Sequence, residues 1–277
     1  MSAGHHVVLT GASGGLGQAM AMALAGQCST MLLVGRDLPK LQVLQRDLRA
    51  RHPSLILALI AGDLTDVSTR ERVFDFAREF PSPLNLLINN AGINEFHEFE
   101  SQKSDAIERL LAVNLLGPIQ LTQKLLPLLK SAQRAQIINV GSIFGYLGYP
   151  GFAVYSATKF GLRGFSQSLR RELADTSVAV RYFAPRATRT RLNTPAISAM
   201  NRELNTKEDA PEIVAQLLLE FLATNTWERK LGFPERLYVF LNHLVPKISD
   251  KAIRGQLKTI KKYLPNSARP QHLHAKE

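Results

Sequence analysis

The sequence predicts an α/β fold, a single doubly wound parallel sheet with helices on both faces, followed by a basic helical C-terminal extension. Three observations carry that expectation. Apolar, β-type runs alternate with helix-period segments over the first two thirds of the chain, the pattern of strands joined by crossover helices. A glycine-rich turn, TGASGGLG from Thr10 to Gly17, directly follows the first run and opens the first helical segment. The 277 residues, 45% hydrophobic and 21% charged, suffice for one large domain with a sizeable core and exclude a disordered chain. The domain is expected over 1–225, with 226–277 as an extension of the same domain.

The strands are read in order from HVVLT (6–10), TMLLVG (30–35), LILALIAG (55–62), LNLLIN (84–89), AQIINV (135–140) and VAVRYFA (178–184). Between them 15–27, 37–51, 66–79, 103–130 and 152–176 have helical periodicity and crossover length. Asp37 reads as the N-cap of the second helix. After Thr190 the pattern changes: 190–209 is polar and rich in Asn and Thr, a loop by its composition. Ala210-Pro211-Glu212 opens a helix to about Leu222. Pro234 starts another over 234–245, with Leu237, Phe240, Leu241 and Leu244 at i, i+3, i+4 and i+7. Ser249 is the expected cap of a last helix, 249–263.

Composition narrows the setting. Cys28 is the one cysteine, which excludes a disulfide framework within the chain and suits a reducing, cytoplasmic compartment. MSAGHHVVLT lacks the cationic start and long apolar stretch of a signal peptide, so folded structure is expected to begin at once. The uncharged stretch Val7 to Gly35 is broken by Gly, Ser, Thr and Gln and is not read as a membrane span. The net charge is +11, and Thr226 to Glu277 carries eleven Lys/Arg against four acids, hence +7 of it. That balance favours polyanionic partners. Nucleic acid is not expected, because the tail lacks interleaved aromatics and a recognised motif. Two readings of the helices 234–245 and 249–263 stay open: a cap packed on the core with a solvated basic face, and helices that cover the substrate pocket and lie on an anionic membrane surface or an acidic carrier.

The chemistry begins at the glycine turn. Glycines there bring the backbone close to a pyrophosphate and aim amide N–H groups at it, at the positive end of a helix dipole. The spacing is G-x-x-x-G-x-G, with Gly11, Gly15 and Gly17. Asn89-Asn90-Ala91-Gly92 closes the fourth strand, Asp63 follows the third, Asn114, Ser142, Tyr155 and Lys159 follow in order, and Pro185 to Thr190 comes after the sixth. These separately placed motifs resemble the short-chain dehydrogenase/reductase family over residues 6–225. The resemblance implies a Rossmann-like fold and a catalytic set of Asn114, Ser142, Tyr155 and Lys159. It implies cofactor contacts at Gly11, Ser13, Gly14, Gly15, Leu16 and Gly17, at Arg36, at Asp63 and Leu64, and at Asn90, Ala91 and Gly92. Tyr155, Lys159, Pro185, Thr188 and Thr190 complete that set, and 190–209 corresponds to the family's variable substrate loop.

Tyr155 and Lys159 are four apart, so on a helix they share a face, and a nearby cation favours the phenolate of a residue whose usual pKa is about 10. By resemblance Tyr155 exchanges a proton with the carbonyl or alcohol oxygen, Ser142 holds that oxygen, Lys159 binds the nicotinamide ribose, and Asn114 holds a water leading from Lys159 to solvent. Hydride passes between nicotinamide and a primary or secondary alcohol or its carbonyl. No metal is implied, and the single Cys and scattered His residues show no ligand spacing.

At the end of the second strand stands Gly35-Arg36. An acid there accepts the ribose 2′-OH of NAD, whereas Arg suits a 2′-phosphate, so NADP(H) is the expected cofactor. The competing arrangement turns Asp37 inward onto Arg36. Ser13 and Lys40 read either as further phosphate contacts or as a turn residue and a solvated charge. In APRATRT (184–190) Arg186 replaces the family's usual Gly and Thr188 its Val or Ile. Arg186, Arg189 and Arg191 then either face an anionic substrate group or form a solvated cluster.

The expected activity is reduction of a lipophilic or acyl-chain carbonyl, a small-molecule substrate. The alternatives are a non-catalytic nucleotide sensor of the same fold and an epimerase or dehydratase of a nucleotide sugar. The latter needs more chain than the stretch after Thr190 provides. The resemblance also implies a homo-oligomer, dimer or tetramer, packed through 103–130 and 152–176, where Leu110, Leu111, Leu115 and Leu116 exceed one apolar stripe.

Overall fold

The computed structural model describes residues 4–265. Six strands form where the apolar runs place them: β1 (His5–Thr10), β2 (Cys28–Gly35), β3 (Ile56–Ala61), β4 (Leu86–Asn89), β5 (Ala135–Val140) and β6 (Val178–Ala184). A seventh, β7 (Glu228–Lys230), comes from the extension. The helices are α1 (Gly15–Leu24), α2 (Leu38–Arg51), α3 (Val67–Arg78), α4 (Ser104–Leu111), α5 (Gly117–Lys130), α6 (Ala153–Glu172), α7 (Pro195–Glu203), α8 (Pro211–Leu222), α9 (Glu235–Leu244) and α10 (Pro246–Tyr263). All strand pairs are parallel, in the order β3-β2-β1-β4-β5-β6-β7. Strand order reverses between β1 and β4, so the turns after these two strands open side by side at the carboxyl edge, where such sheets bind ligands.

Successive side chains on a strand point to opposite faces, and here both faces are apolar. Val7, Leu9, Met31, Leu33, Leu86 and Ile88 enter a core closed by α1, α2 and α8. Val8, Leu32, Val34 and Leu87 enter a second, closed by α3, α5 and α6. A third cluster joins Leu110, Tyr155, Ile197, Met200 and Ile260, which draws α4, α6, α7 and α10 together around one end of α6.

Several elements depart from expectation. The single helix expected over 103–130 is interrupted by a π-helical turn, Ala112–Leu116, where the Gly117 N–H bonds to the Ala112 carbonyl. Pro118 is the cause, since it has no N–H to offer the carbonyl four residues back, that of Asn114. The expected loop 190–209 contains α7, capped by the Thr194 hydroxyl accepting from the Ile197 N–H, with Pro195 in its first turn. β7 is built by its neighbours. The buried Arg181 on β6 donates to the carbonyls of Phe221 and Thr226 at 2.6 and 2.9 Å, tying the α8–β7 connection to the sheet.

The last helix begins at Pro246 rather than at Ser249. Ser249 is not a cap: it lies inside α10, buried, with no partner for its hydroxyl among the described residues. On α9 the buried residue is Val239, while Leu237, Phe240 and Leu244 of the expected inward stripe face out. The final stretch of the basic extension, 266–277, lies outside the described residues, as do residues 1–3.

Candidate active site

The glycine turn is shaped by contact with its neighbour across the switch point. Gly11 has φ 67°, and a Cβ there would stand 2.8 Å from the Ala91 Cα. A Cβ on Gly17 would stand 2.1 Å from the Gly11 carbonyl oxygen. Only glycine fits either place. The Thr10 hydroxyl accepts from the N–H groups of Asn90 and Ala91, both at 3.0 Å, and the Asn90 amide donates back to the Thr10 carbonyl at 3.0 Å. The start of α1 at Gly14 has no side-chain cap, so its first amide donors remain available to an anion. A backbone cradle that no Cβ can share and an uncapped helix start fit the pyrophosphate of a dinucleotide.

This turn is one end of a cavity of about 920 Å³. Every cofactor position expected from the sequence, from Gly11 to Thr190, lies on its wall. Ser142, Tyr155 and Lys159 line it as well. Asn114 does not: it is completely buried behind Gly92, where a Cβ would stand 3.4 Å from the Asn114 Oδ1 and 3.7 Å from the Lys159 Nζ. Its amide accepts from the Ile93 N–H at 2.8 Å and donates to the Ile93 carbonyl at 2.9 Å, so the side chain on the π-helical turn fixes the loop that follows β4.

Tyr155 and Lys159 project from α6 with the Lys159 Nζ 5.6 Å from the Tyr155 ring centre. Both are buried, and burial dominates their protonation. It pushes the Tyr155 phenol up to about 12, with the adjacent Ser142 hydroxyl acting in the opposite sense. It lowers Lys159 to about 8. The sequence expectation that the ammonium lowers the phenol is therefore outweighed by the loss of hydration, which disfavours the charged form of each. The ammonium donates to the Val140 carbonyl at 3.2 Å, and the Tyr182 hydroxyl donates to the Lys159 carbonyl at 3.1 Å, anchoring that turn of α6 to β6.

At the far end of the turn Asp37 caps α2, accepting from the Lys40 N–H at 3.1 Å and from the Lys40 ammonium. It is not turned onto Arg36, which is exposed and has no ion-pair partner among the described residues. A side chain at position 35 would crowd Ser13, since a Cβ there would stand 2.7 Å from the Ser13 Oγ and 3.1 Å from its Cβ and N. The Asp63 carboxylate accepts from the N–H and hydroxyl of Thr65 and pairs with Arg109, which hold it below the usual carboxylate range despite the opposing effect of burial.

The open question at Arg186 has a third answer. Its guanidinium neither floats in solvent nor stands free for a substrate. It forms two parallel bonds to Asp209, at 2.9 and 2.7 Å, and a third to Glu235 at 3.2 Å. Thr188 pairs with Asp209 in a short parallel bridge, with the Arg189 N–H on the Asp209 carbonyl and the Asp209 N–H on the Ala187 carbonyl, both at 2.9 Å. The Thr188 N–H itself has no partner among the described residues.

The rest of the cavity wall is not named residue by residue in the sequence. Phe144, Tyr149 and Phe152 come from the run after β5, Ile197 and Met200 from α7, and Ser249, Ile253 and Gln256 from α10. The aromatic spacing in SIFGYLGYPGF was a usable signal for the first group. The second lies in the stretch assigned to a substrate loop, and the third on the C-terminal helices that one reading places over the pocket.

A family profile described as short chain dehydrogenase matches residues 5–201. The chain is 30% identical over 202 residues to the 3-ketodihydrosphingosine reductase of Mus musculus, covering 72% of this chain and 60% of that protein. Among solved structures, a short chain dehydrogenase/reductase from Burkholderia phymatum in complex with NAD superposes with a TM-score of 0.80 at 21% identity, over 89% of this chain and 95% of that one. A short-chain dehydrogenase from Sphingobium yanoikuyae in complex with NADPH gives 0.74 at 24%, over 95% and 99%. At these identities the structural likeness concerns the fold.

Proposed function

The chain belongs to the short chain dehydrogenase family, and we propose that within it this oxidoreductase is an NADP(H)-dependent reductase of lipophilic carbonyls. The observation that carries the proposal is the placement of Ser142, Tyr155 and Lys159 on one wall of a cavity whose other end is the uncapped glycine turn. A bound nicotinamide supplies the hydride. Tyr155 donates its proton to the carbonyl oxygen, which Ser142 holds by a hydrogen bond. Lys159 would hold the nicotinamide ribose, and the N–H of Thr188 and the hydroxyl of Thr190 would hold the carboxamide. Asn114 acts behind them as a positioning residue, through Gly92 and Ile93.

A phenol pushed up to about 12 stays protonated across the neutral range, the form from which carbonyl reduction starts, whereas alcohol oxidation starts from the phenolate and gains with rising pH. The aromatic and aliphatic wall from Phe144 to Ile253 suits a long or bulky apolar chain. The name of the mouse relative, 3-ketodihydrosphingosine reductase, supports a lipophilic substrate class here.

Turnover of 3-oxoacyl thioesters, long-chain ketones and steroids with NADPH tests the reading. Tyr155→Phe is expected to keep cofactor binding and lose about a hundredfold or more in kcat, since only the proton donor is removed. A variant retaining more than about a tenth of wild-type kcat removes Tyr155 from the acid–base role.

A further inference from the structure

α9 and α10 form a helical hairpin about Val245 that exposes what amphipathic helices ordinarily bury. Leu237, Phe240 and Leu244, at helical spacing on one side of α9, are 43%, 58% and 59% exposed. Phe233 before the helix, Val245 at the corner and Ile248 on the first turn of α10 are exposed too. Exposed large apolar residues grouped on one short hairpin mark a contact site.

Its border is cationic. Arg236, Lys247, Lys251 and Arg254 are exposed and have no ion-pair partner among the described residues. Of the acids on the hairpin, Glu235 is taken by Arg186, which leaves Asp250. The inward side of the hairpin belongs to the cavity, through Pro234, Tyr238, Ser249, Ala252 and Ile253. Apolar face and cavity wall are thus two sides of the same two helices. Among the described residues no helix is long and apolar enough to cross a membrane.

We propose that the α9–α10 hairpin docks the protein on an anionic lipid bilayer. Phe233, Leu237, Phe240 and Leu244 enter the headgroup–acyl boundary, and Arg236, Lys247, Lys251 and Arg254 sit at the lipid phosphates. Charge chooses this occupant over a second copy of the chain. An isologous contact would set the same four cations against their symmetry mates, whereas an anionic surface complements them. Docking brings the α9–α10 wall of the cavity to the membrane. The inference does not rest on the proposed reaction and is read without turnover.

The test is sedimentation of the full chain with vesicles of phosphatidylcholine alone or with about 30 mol% phosphatidylglycerol. Binding to the anionic vesicles at low salt is expected, falling about tenfold on neutral vesicles or in about 0.5 M salt. The triple variant Leu237→Ser, Phe240→Ser, Leu244→Ser touches neither the cavity wall nor a core residue, and it is expected to lose about tenfold in vesicle binding with an unchanged circular dichroism spectrum. The pair Lys247→Glu, Lys251→Glu is expected to do the same and covers the case in which the triple variant does not fold. Wild-type protein that stays in solution with anionic vesicles at low salt overturns the proposal. So do variants that sediment like wild type, and so does a triple variant whose light-scattering mass falls, since that outcome assigns the face to a second copy.

Discussion

Cofactor choice turns on three adjacent residues whose arrangement is partly sterics and partly charge. Gly35 offers no carboxylate, and a Cβ there would crowd Ser13. Asp37 is spent on Lys40 and the start of α2. Arg36 remains on the cavity wall without an acidic partner among the described residues, a planar fork suited to a 2′-phosphate. A charge-assisted contact is worth about 1.5–3 kcal/mol, so NADPH is expected to bind at least about tenfold more tightly than NADH. Arg36→Ala should erase that preference with little effect on NADH. Fluorescence titration of both cofactors decides it: equal affinities in wild type, or a variant that still prefers NADPH, refute the assignment. The Arg was legible in sequence because its place follows from the strand end. The direction of Asp37 was not, since capping by Asp37 and pairing with Arg36 use the same carboxylate and only the folded geometry at Lys40 separates them. Nor was the protonation of Tyr155 and Lys159 legible, because spacing reveals their shared face but not how completely the third hydrophobic cluster dehydrates it.

Elements with a strong apolar period were readable, and those built by tertiary partners were not. β1 to β6 announce themselves as apolar runs. β7 is three residues long and polar, Glu-Arg-Lys, and exists because Arg181 pins the chain before it. α7 hid in a stretch judged by its polar composition, although Thr194-Pro195 is a helix start in its own right. Besides the apolar packing of α7 on α10 and the Thr188–Asp209 bridge, Arg186 clasps this region, since its bonds to Asp209 and Glu235 join the end of β6, the segment before α8 and the start of α9. The three side chains are 15%, 13% and 17% exposed, so removing the cation strands two carboxylates with little water. Arg186→Met is therefore expected to cost about 2 kcal/mol, less than a fully buried pair loses. In a chain this long the cost appears as a melting point lower by several degrees, about 2–4 °C per kcal/mol. Limited proteolysis should then open 190–209 first. Adding Asp209→Asn should recover part of the loss by removing one unpaired charge. A single variant that melts and digests like wild type shows that the clasp holds nothing.

At the scale of the whole molecule, two of the exposed apolar groups among the described residues bear on assembly, and they differ in place. One is the cation-bordered hairpin of α9 and α10. The other lies on the side of the sheet where α4, the π-helical turn and α6 meet, with Leu111, Leu116 and Phe160 exposed by 40%, 50% and 44%. The sequence offered four leucines for a contact between chains, and the fold divides them: Leu110 is wholly buried in the cluster around Tyr155, and Leu115 packs against the cluster under Tyr182. The interruption at Pro118 makes the division, because it rotates the second half of the segment relative to the first. We propose that the outward remainder is the homo-oligomer interface, where a two-fold axis pairs each patch with its copy without the cation repulsion that the hairpin would suffer. Light scattering at micromolar concentration is expected to give a multiple of the chain mass. Leu111→Asp with Phe160→Asp should reduce it to a single chain while far-ultraviolet circular dichroism stays unchanged, since neither side chain serves a core. Wild-type protein with the mass of one chain excludes the interface. A double variant that keeps the larger mass moves the contact elsewhere, and if the hairpin variants then break it, the two surfaces exchange their assignments.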